Sequence, residues 1–240
     1  MSVKKNNNSI PIESPKNVLK SVKNVIFDLD GTLLDTGRGI IESAKHTIDV
    51  MGLRELSDNE LRSFVGPPLK KSFMNICGCS EETANEAVHT FRAYYQDGAV
   101  LHAEPYQGMT GLCEMLICRG IKLGVATNKP NRFAVALINN FGLSPYFTCI
   151  KGADEAATLS KTDLIRLCMQ EMGATESDTV LIGDTDNDAA GAEQAGIGFI
   201  AVTYGFGYET AEDCSGFPCI GTADTPMQIA DVLSGYIDVI

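Results

Sequence analysis

Two pairs of aspartates carry the clearest chemical signal in this chain. Asp28 and Asp30, spaced i, i+2, follow the short apolar run 25–27 and lead into Gly31-Thr32. Two carboxylates at the end of a buried strand are costly unless a metal or another cation offsets them. This spacing puts them close enough to share a divalent cation, and Gly31 frees the backbone to turn sharply there. A second acidic group, Asp184-Thr185-Asp186-Asn187-Asp188, closes another apolar run at 179–182. Its alternating aspartates open like a calcium loop. The sixth position is Ala189 and the twelfth Ala195, where such a loop needs glycine and glutamate, so that reading fails.

Two more residues fall at comparable places. Thr127 ends the run 121–126, and taken alone it reads as an ordinary turn hydroxyl. Lys161 follows Ser160, a good helix N-cap, and a lone lysine there is usually a solvated one. Yet a cation in the first helical turn opposes the helix dipole, a cost that a bound anion would offset.

The elements that position these groups can be read from periodicity. After Asp35 the pattern turns helical, with Ile40, Ala44 and Ile48 on one stripe and Gly52 suited to the stop. Further helices are predicted at 58–64, 69–76 and 81–96, so 37–103 is an all-helical insertion. Residues 104–108 form the return linker. From 108 onward helices and strands alternate: helix 109–119, strand 121–126, a loop at 127–129, a helix opened by Pro130 at its first position, and a short strand near 147–150. The helix that follows Ser160 is stopped by Gly173. After it come strand 179–182, a small-faced helix closed by Gly196, the last clear core strand at 197–202, and a helix near 226–234. Such alternation implies an α/β fold with a doubly wound parallel sheet covered on both faces. The predicted organisation is a polar, lysine-rich disordered tail at 1–23, a core from 24–36 and 104–240, and the helical domain 37–103.

Composition narrows the partners. The 240 residues carry a net charge of −12 and are 44% hydrophobic, enough to bury a sizeable core and against nucleic acid or an anionic membrane as partner. No run approaches the ~20 apolar residues that span a bilayer, and no signal peptide is visible. The expectation is a cytoplasmic protein whose eight cysteines are free thiols.

The stretch Asp28-Leu29-Asp30-Gly31-Thr32-Leu33-Leu34-Asp35 resembles the first motif of the haloacid dehalogenase (HAD) superfamily. Thr127, Lys161 and the group at 184–188 follow in the order of that family's later motifs. The likeness covers 24–235 and is strongest to the phosphoglycolate-phosphatase-like branch, including Thr203-Tyr204-Gly205-Phe206-Gly207. It implies a Rossmann-like core with an inserted helical C1 cap, and a phosphatase that uses Mg2+. Carried over residue by residue, Asp28 is the nucleophile that takes the phosphoryl group, and Asp30 the general acid and then the base. Gly31, Thr127, Asn128 and Lys161 bind the phosphoryl group. Asp28, Asp30 (through its backbone carbonyl), Asp184 and Asp188 hold the metal. An aspartate at position 30 matches the phosphatases and mutases rather than the dehalogenases, because an alkoxide leaving group needs a proton.

The cap would exclude water and choose the substrate. Gly66-Pro67-Pro68-Leu69-Lys70 is its candidate substrate-facing loop, with Lys70, Lys71 or Arg62 able to meet an anionic group. The implied partner is a small phosphomonoester, and the implied assembly a monomer or homodimer. Alternatives are a 5'-nucleotidase or pyrophosphatase of the same family, a sugar-phosphate mutase, and a non-catalytic receiver-like domain. The chain is about twice the length of a receiver.

Overall fold

Strict alternation along the first strand, β1 (Asn24–Phe27), sends Val25 and Phe27 to one side of a sheet and Ile26 to the other, all fully buried. The structure, a computed structural model, describes residues 19, 21–155 and 158–237. After β1 the chain forms β2 (Leu34–Asp35) and then four helices: α1 (Gly37–Met51), α2 (Asp58–Arg62), α3 (Leu69–Ile76) and α4 (Glu81–Gln96). It returns through β3 (Glu104–Pro105), which pairs antiparallel with β2. The helical segment thus leaves and re-enters the core through one small ribbon. Within it Phe64, Phe73 and Phe91 meet edge to face in succession, and Phe91 stacks on Tyr95.

The remainder is α5 (Met109–Cys118), β4 (Lys122–Pro130), α6 (Asn131–Asn140), β5 (Phe147–Ala153), α7 (Lys161–Met172), β6 (Thr179–Gly183), α8 (Asp186–Ala195), β7 (Gly198–Val202), β8 (Gly221–Ala223) and α9 (Pro226–Leu233). Six strands form one sheet in the order β5-β4-β1-β6-β7-β8, every pairing parallel. Leu112, Leu137 and Ile229 of α5, α6 and α9 cover the Val25 face; Leu164, Cys168 and Ala192 of α7 and α8 cover the Ile26 face. The chain goes from β1 to β4 and β5 on one side, then returns to place β6 on the other. The order therefore reverses beside β1, where ligands of such sheets bind at the carboxyl ends of the strands.

Several expectations need correction. The predicted tail at 1–23 lies mostly outside the described residues. Where it is described it packs: Leu19 and Val22 are buried, and Val22 N–H donates to Tyr236 O at 2.7 Å. Strand β4 does not stop at 126. It runs to Pro130 through an irregularity in its pairing with β5 after Thr127. Pro130 is accordingly extended (φ −50°, ψ 132°) and α6 begins at Asn131. Strands β2, β3 and β8 carry too few residues to show a period. All eight cysteines are free, and none of the described helices is long and apolar enough to cross a membrane.

Candidate active site

Two strand ends and two helix starts deliver the side chains. Asp28 follows β1, Asp184 follows β6, Lys161 opens α7, and Asp188 lies in the first turn of α8. Asp28, Asp184 and Asp188 are buried, and each offers an oxygen within 4.8 Å of the others. Lys161 Nζ lies 2.5 Å from Asp28 Oδ1 and 2.6 Å from Asp188 Oδ1. The anion that a lysine at this helix start calls for is therefore supplied by the protein's own carboxylates.

Local sequence explains these placements. Ser160 and Asp163 cap α7 reciprocally, which fixes where Lys161 emerges. Thr185 and Asp188 do the same for α8, so Asp188 Oδ2 accepts from the Thr185 N–H and hydroxyl (3.1 and 2.6 Å) while Oδ1 accepts from Lys161. Gly31 sits at φ +81°, and a Cβ there would lie 2.2 Å from Asp184 Oδ2, so only glycine lets the two loops meet.

Three carboxylates facing one ammonium leave an excess negative charge of two in a buried site. Burial, then Lys161 opposing it and Asp188 adding to it, leaves the Asp28 carboxyl raised well above the usual carboxylate range. Burial and the neighbouring Asp188 and Asp28 push Asp184 up to about 7. Burial alone would lower the Lys161 ammonium, but the charges of Asp188 and Asp28 outweigh it and raise it. A hard divalent cation fits this donor set. Among the described residues no group donates to Asp28 Oδ2, which leaves that oxygen open.

The carboxylate of Asp30 does not join the three acids. Its Oδ1 accepts from Thr36 Oγ1 (2.5 Å) and Lys129 Nζ (2.8 Å), and its Oδ2 from Lys129 Nζ at 3.2 Å. Thr127 is buried at the end of the regular part of β4, its Oγ1 accepting from Lys129 N–H at 3.2 Å, whereas Asn128 is exposed. Lys70 is not brought to the acidic cluster. It pairs with Glu81 at 2.6 Å on the helical segment. Arg62 and Lys71 are exposed there.

Sequence reasoning missed two parts of the site. Lys129 gave no signal, because it stood in a presumed loop. The segment after β7 was noticed only for its likeness to a family. In the structure it wraps Asp184: Oδ2 accepts from the backbone N–H of Phe206 (2.8 Å) and Gly207 (3.3 Å), and the Tyr204 hydroxyl donates to Thr32 O at 3.0 Å.

Residues 25–202 match the family described as Haloacid dehalogenase-like hydrolase. The chain is 36% identical over 78% of its length to a 5'-nucleotidase of Pseudomonas aeruginosa, covering 85% of that protein. It is 32% identical over 83% of its length to tyrosine-protein kinase PtkA of Mycobacterium tuberculosis, covering 66% of it. To a phosphoglycolate phosphatase of Agrobacterium fabrum it is 31% identical over 75%, covering 80%. Among solved structures, a putative phosphatase from Clostridium difficile superposes with a TM-score of 0.82 at 32% identity, over 89% of this chain and 99% of that one.

Proposed function

Because this chain belongs to the haloacid dehalogenase-like hydrolases and is a phosphatase, we propose that it hydrolyses phosphomonoesters of small metabolites through a phosphorylated Asp28, with Mg2+ as its cofactor. The observation that carries this reading is the buried placement of Asp28 against Lys161, Asp184 and Asp188. Asp28, Asp184 and the backbone of Asp30 would hold the cation, and Asp188, already occupied by Thr185 and Lys161, would orient it. When bound, Mg2+ neutralises the repulsion between a carboxylate nucleophile and a phosphate dianion.

The protein's own groups divide the remaining work. Asp28 Oδ2 attacks phosphorus as the ester P–O bond breaks, and Asp30 gives a proton to the departing oxygen. Water then attacks the phosphorus of the aspartyl phosphate, Asp30 takes the proton, and inorganic phosphate leaves Asp28 restored. Thr127 and the Asn128 backbone bind phosphoryl oxygens. Lys161 holds Asp28 in place and adds positive charge where it develops. The likeness to phosphoglycolate phosphatases, a 5'-nucleotidase and a pyrophosphatase supports a small anionic substrate. The test is phosphate release across a panel of metabolite phosphomonoesters with Mg2+, for wild type and Asp28→Asn. We expect turnover of at least one compound and a loss on the order of 10³-fold or more in the variant. Silence of the wild type on every compound, a generic aryl phosphate included, would sink the hydrolase reading.

The likeness to PtkA favours a second reading, phosphoryl transfer to tyrosine. It predicts nucleotide-dependent labelling of a tyrosine-containing protein, which a phosphatase does not give.

A further inference from the structure

The site contains two buried lysines, and the reaction derived above uses only Lys161. The other, Lys129, owes its position to the irregularity in β4. The pairing of β4 with β5 skips from Thr127 to Pro130, and such a bulge re-aims side chains. Here it leaves Asn128 exposed and turns Lys129 inward, 8% exposed. The ammonium meets both oxygens of Asp30, at 2.8 and 3.2 Å, while the Thr36 hydroxyl takes the Oδ1 side as well. Oδ1 thus has two close donors, and Oδ2 has one longer contact.

The opposite side of Lys129 is covered from the helical segment. Its Nζ lies 5.0 Å from the centre of the Tyr95 ring of α4, within cation–π range. Tyr95 in turn packs edge-on against Phe133 of α6 in the core, at 5.3 Å between ring centres. Its hydroxyl is buried and, among the described residues, has no hydrogen-bond partner. A phenol from the inserted helices therefore reaches the cation that holds Asp30.

We propose that Lys129 is a positioning residue for proton transfer, one that fixes the Asp30 carboxylate so that Oδ2 handles the proton, and that Tyr95 couples this orientation to the packing of α4 on the core. The proposal rests on the assignment of Asp30 as acid and base. If Lys129 instead bound the phosphoryl group, its removal would slow every substrate alike. If it positions Asp30, the loss depends on how much the leaving oxygen needs a proton.

The experiment compares kcat/KM for the wild type, Lys129→Met, Lys129→Arg and Tyr95→Leu, all with Mg2+. The esters run from 2,4-dinitrophenyl phosphate, whose leaving group departs unprotonated, through phenyl phosphate to an alkyl phosphate. Lys129→Met should lose roughly 10²-fold or more on the alkyl ester, the scale of general acid catalysis, and less than about threefold on the dinitrophenyl ester. Tyr95→Leu should move the same way by a smaller factor. Lys129→Arg, which keeps donors for both oxygens, should recover part of the alkyl activity. Should Lys129→Met fail to fold, Lys129→Gln is read by the same criterion. A working wild type with an equal loss across the series overturns this proposal alone. A wild type silent on every ester overturns the hydrolase reading with it.

Discussion

At the scale of the residue, Lys161 does the most with least freedom. It is buried, and its ammonium is shared between Asp28 and Asp188. Removing one partner of a buried ion pair costs far more than the pair itself is worth, because a charge is left without a counter-charge. We expect Lys161→Met to lower the unfolding free energy by about 3–5 kcal/mol at pH 7, read from urea midpoints. Equal midpoints for variant and wild type at pH 7 would mean that the lysine serves chemistry only. That Asp28 and Asp184 stand at strand ends was legible in the chain, because each follows an apolar run that ends abruptly. Lys129 was not, since nothing local distinguishes it from a loop lysine.

At the scale of the element, the segment after β7 shapes the acid pocket from behind. A Cβ on Gly205 would lie 2.4 Å from Gly31 O and 2.5 Å from Asp184 Cβ and Oδ2. Gly205→Ala must therefore push this segment away from Asp184 and loosen the N–H donors of Phe206 and Gly207. Groups that orient a metal-binding carboxylate typically account for 10–100-fold in affinity or activity. We expect a loss of that size in Mg2+ affinity by titration calorimetry, with the thermal midpoint changing little. Unaltered affinity would show that the donors are dispensable. Helices α3 and α4 were legible to within a residue at each end, and α1 at its C-terminal end, because their apolar stripes and their caps or stops agree: Gly52 is left-handed at the end of α1, and Ser80 caps α4. Strand β8 was not, because Gly221-Thr222-Ala223 gains its pairing only from the neighbouring β7.

At the scale of the whole molecule, the acid cluster links stability to pH and to the cation. Between about pH 4 and 7 the folded, metal-free protein keeps protons on Asp28 and Asp184 that the unfolded chain has lost. The unfolded state then binds fewer protons, so stability of the metal-free protein falls as pH rises through that window. A cation must displace those protons, so its stabilising effect grows over the same range. Thermal melts at pH 5, 6, 7 and 8, in EDTA and in Mg2+, should show the EDTA midpoint dropping and the gap between the two curves widening. A gap that stays constant with pH would argue that Asp28 and Asp184 are already ionised without metal.

The amino-acid sequence by itself determined the alternation of strand and helix, the helical insertion and the strand-end aspartates. Each of these is written in neighbouring residues: apolar period, cap, stop and turn. Only the tertiary structure decided how the ends converge. The pair Lys161–Asp28 joins residues 133 apart in the chain, and Lys129–Asp30 joins residues 99 apart. Neither local propensity nor spacing encodes such distances. They follow from the reversal of strand order beside β1, which brings the ends of β1, β4 and β6 to one place, and from the bulge that turns one lysine of β4 inward.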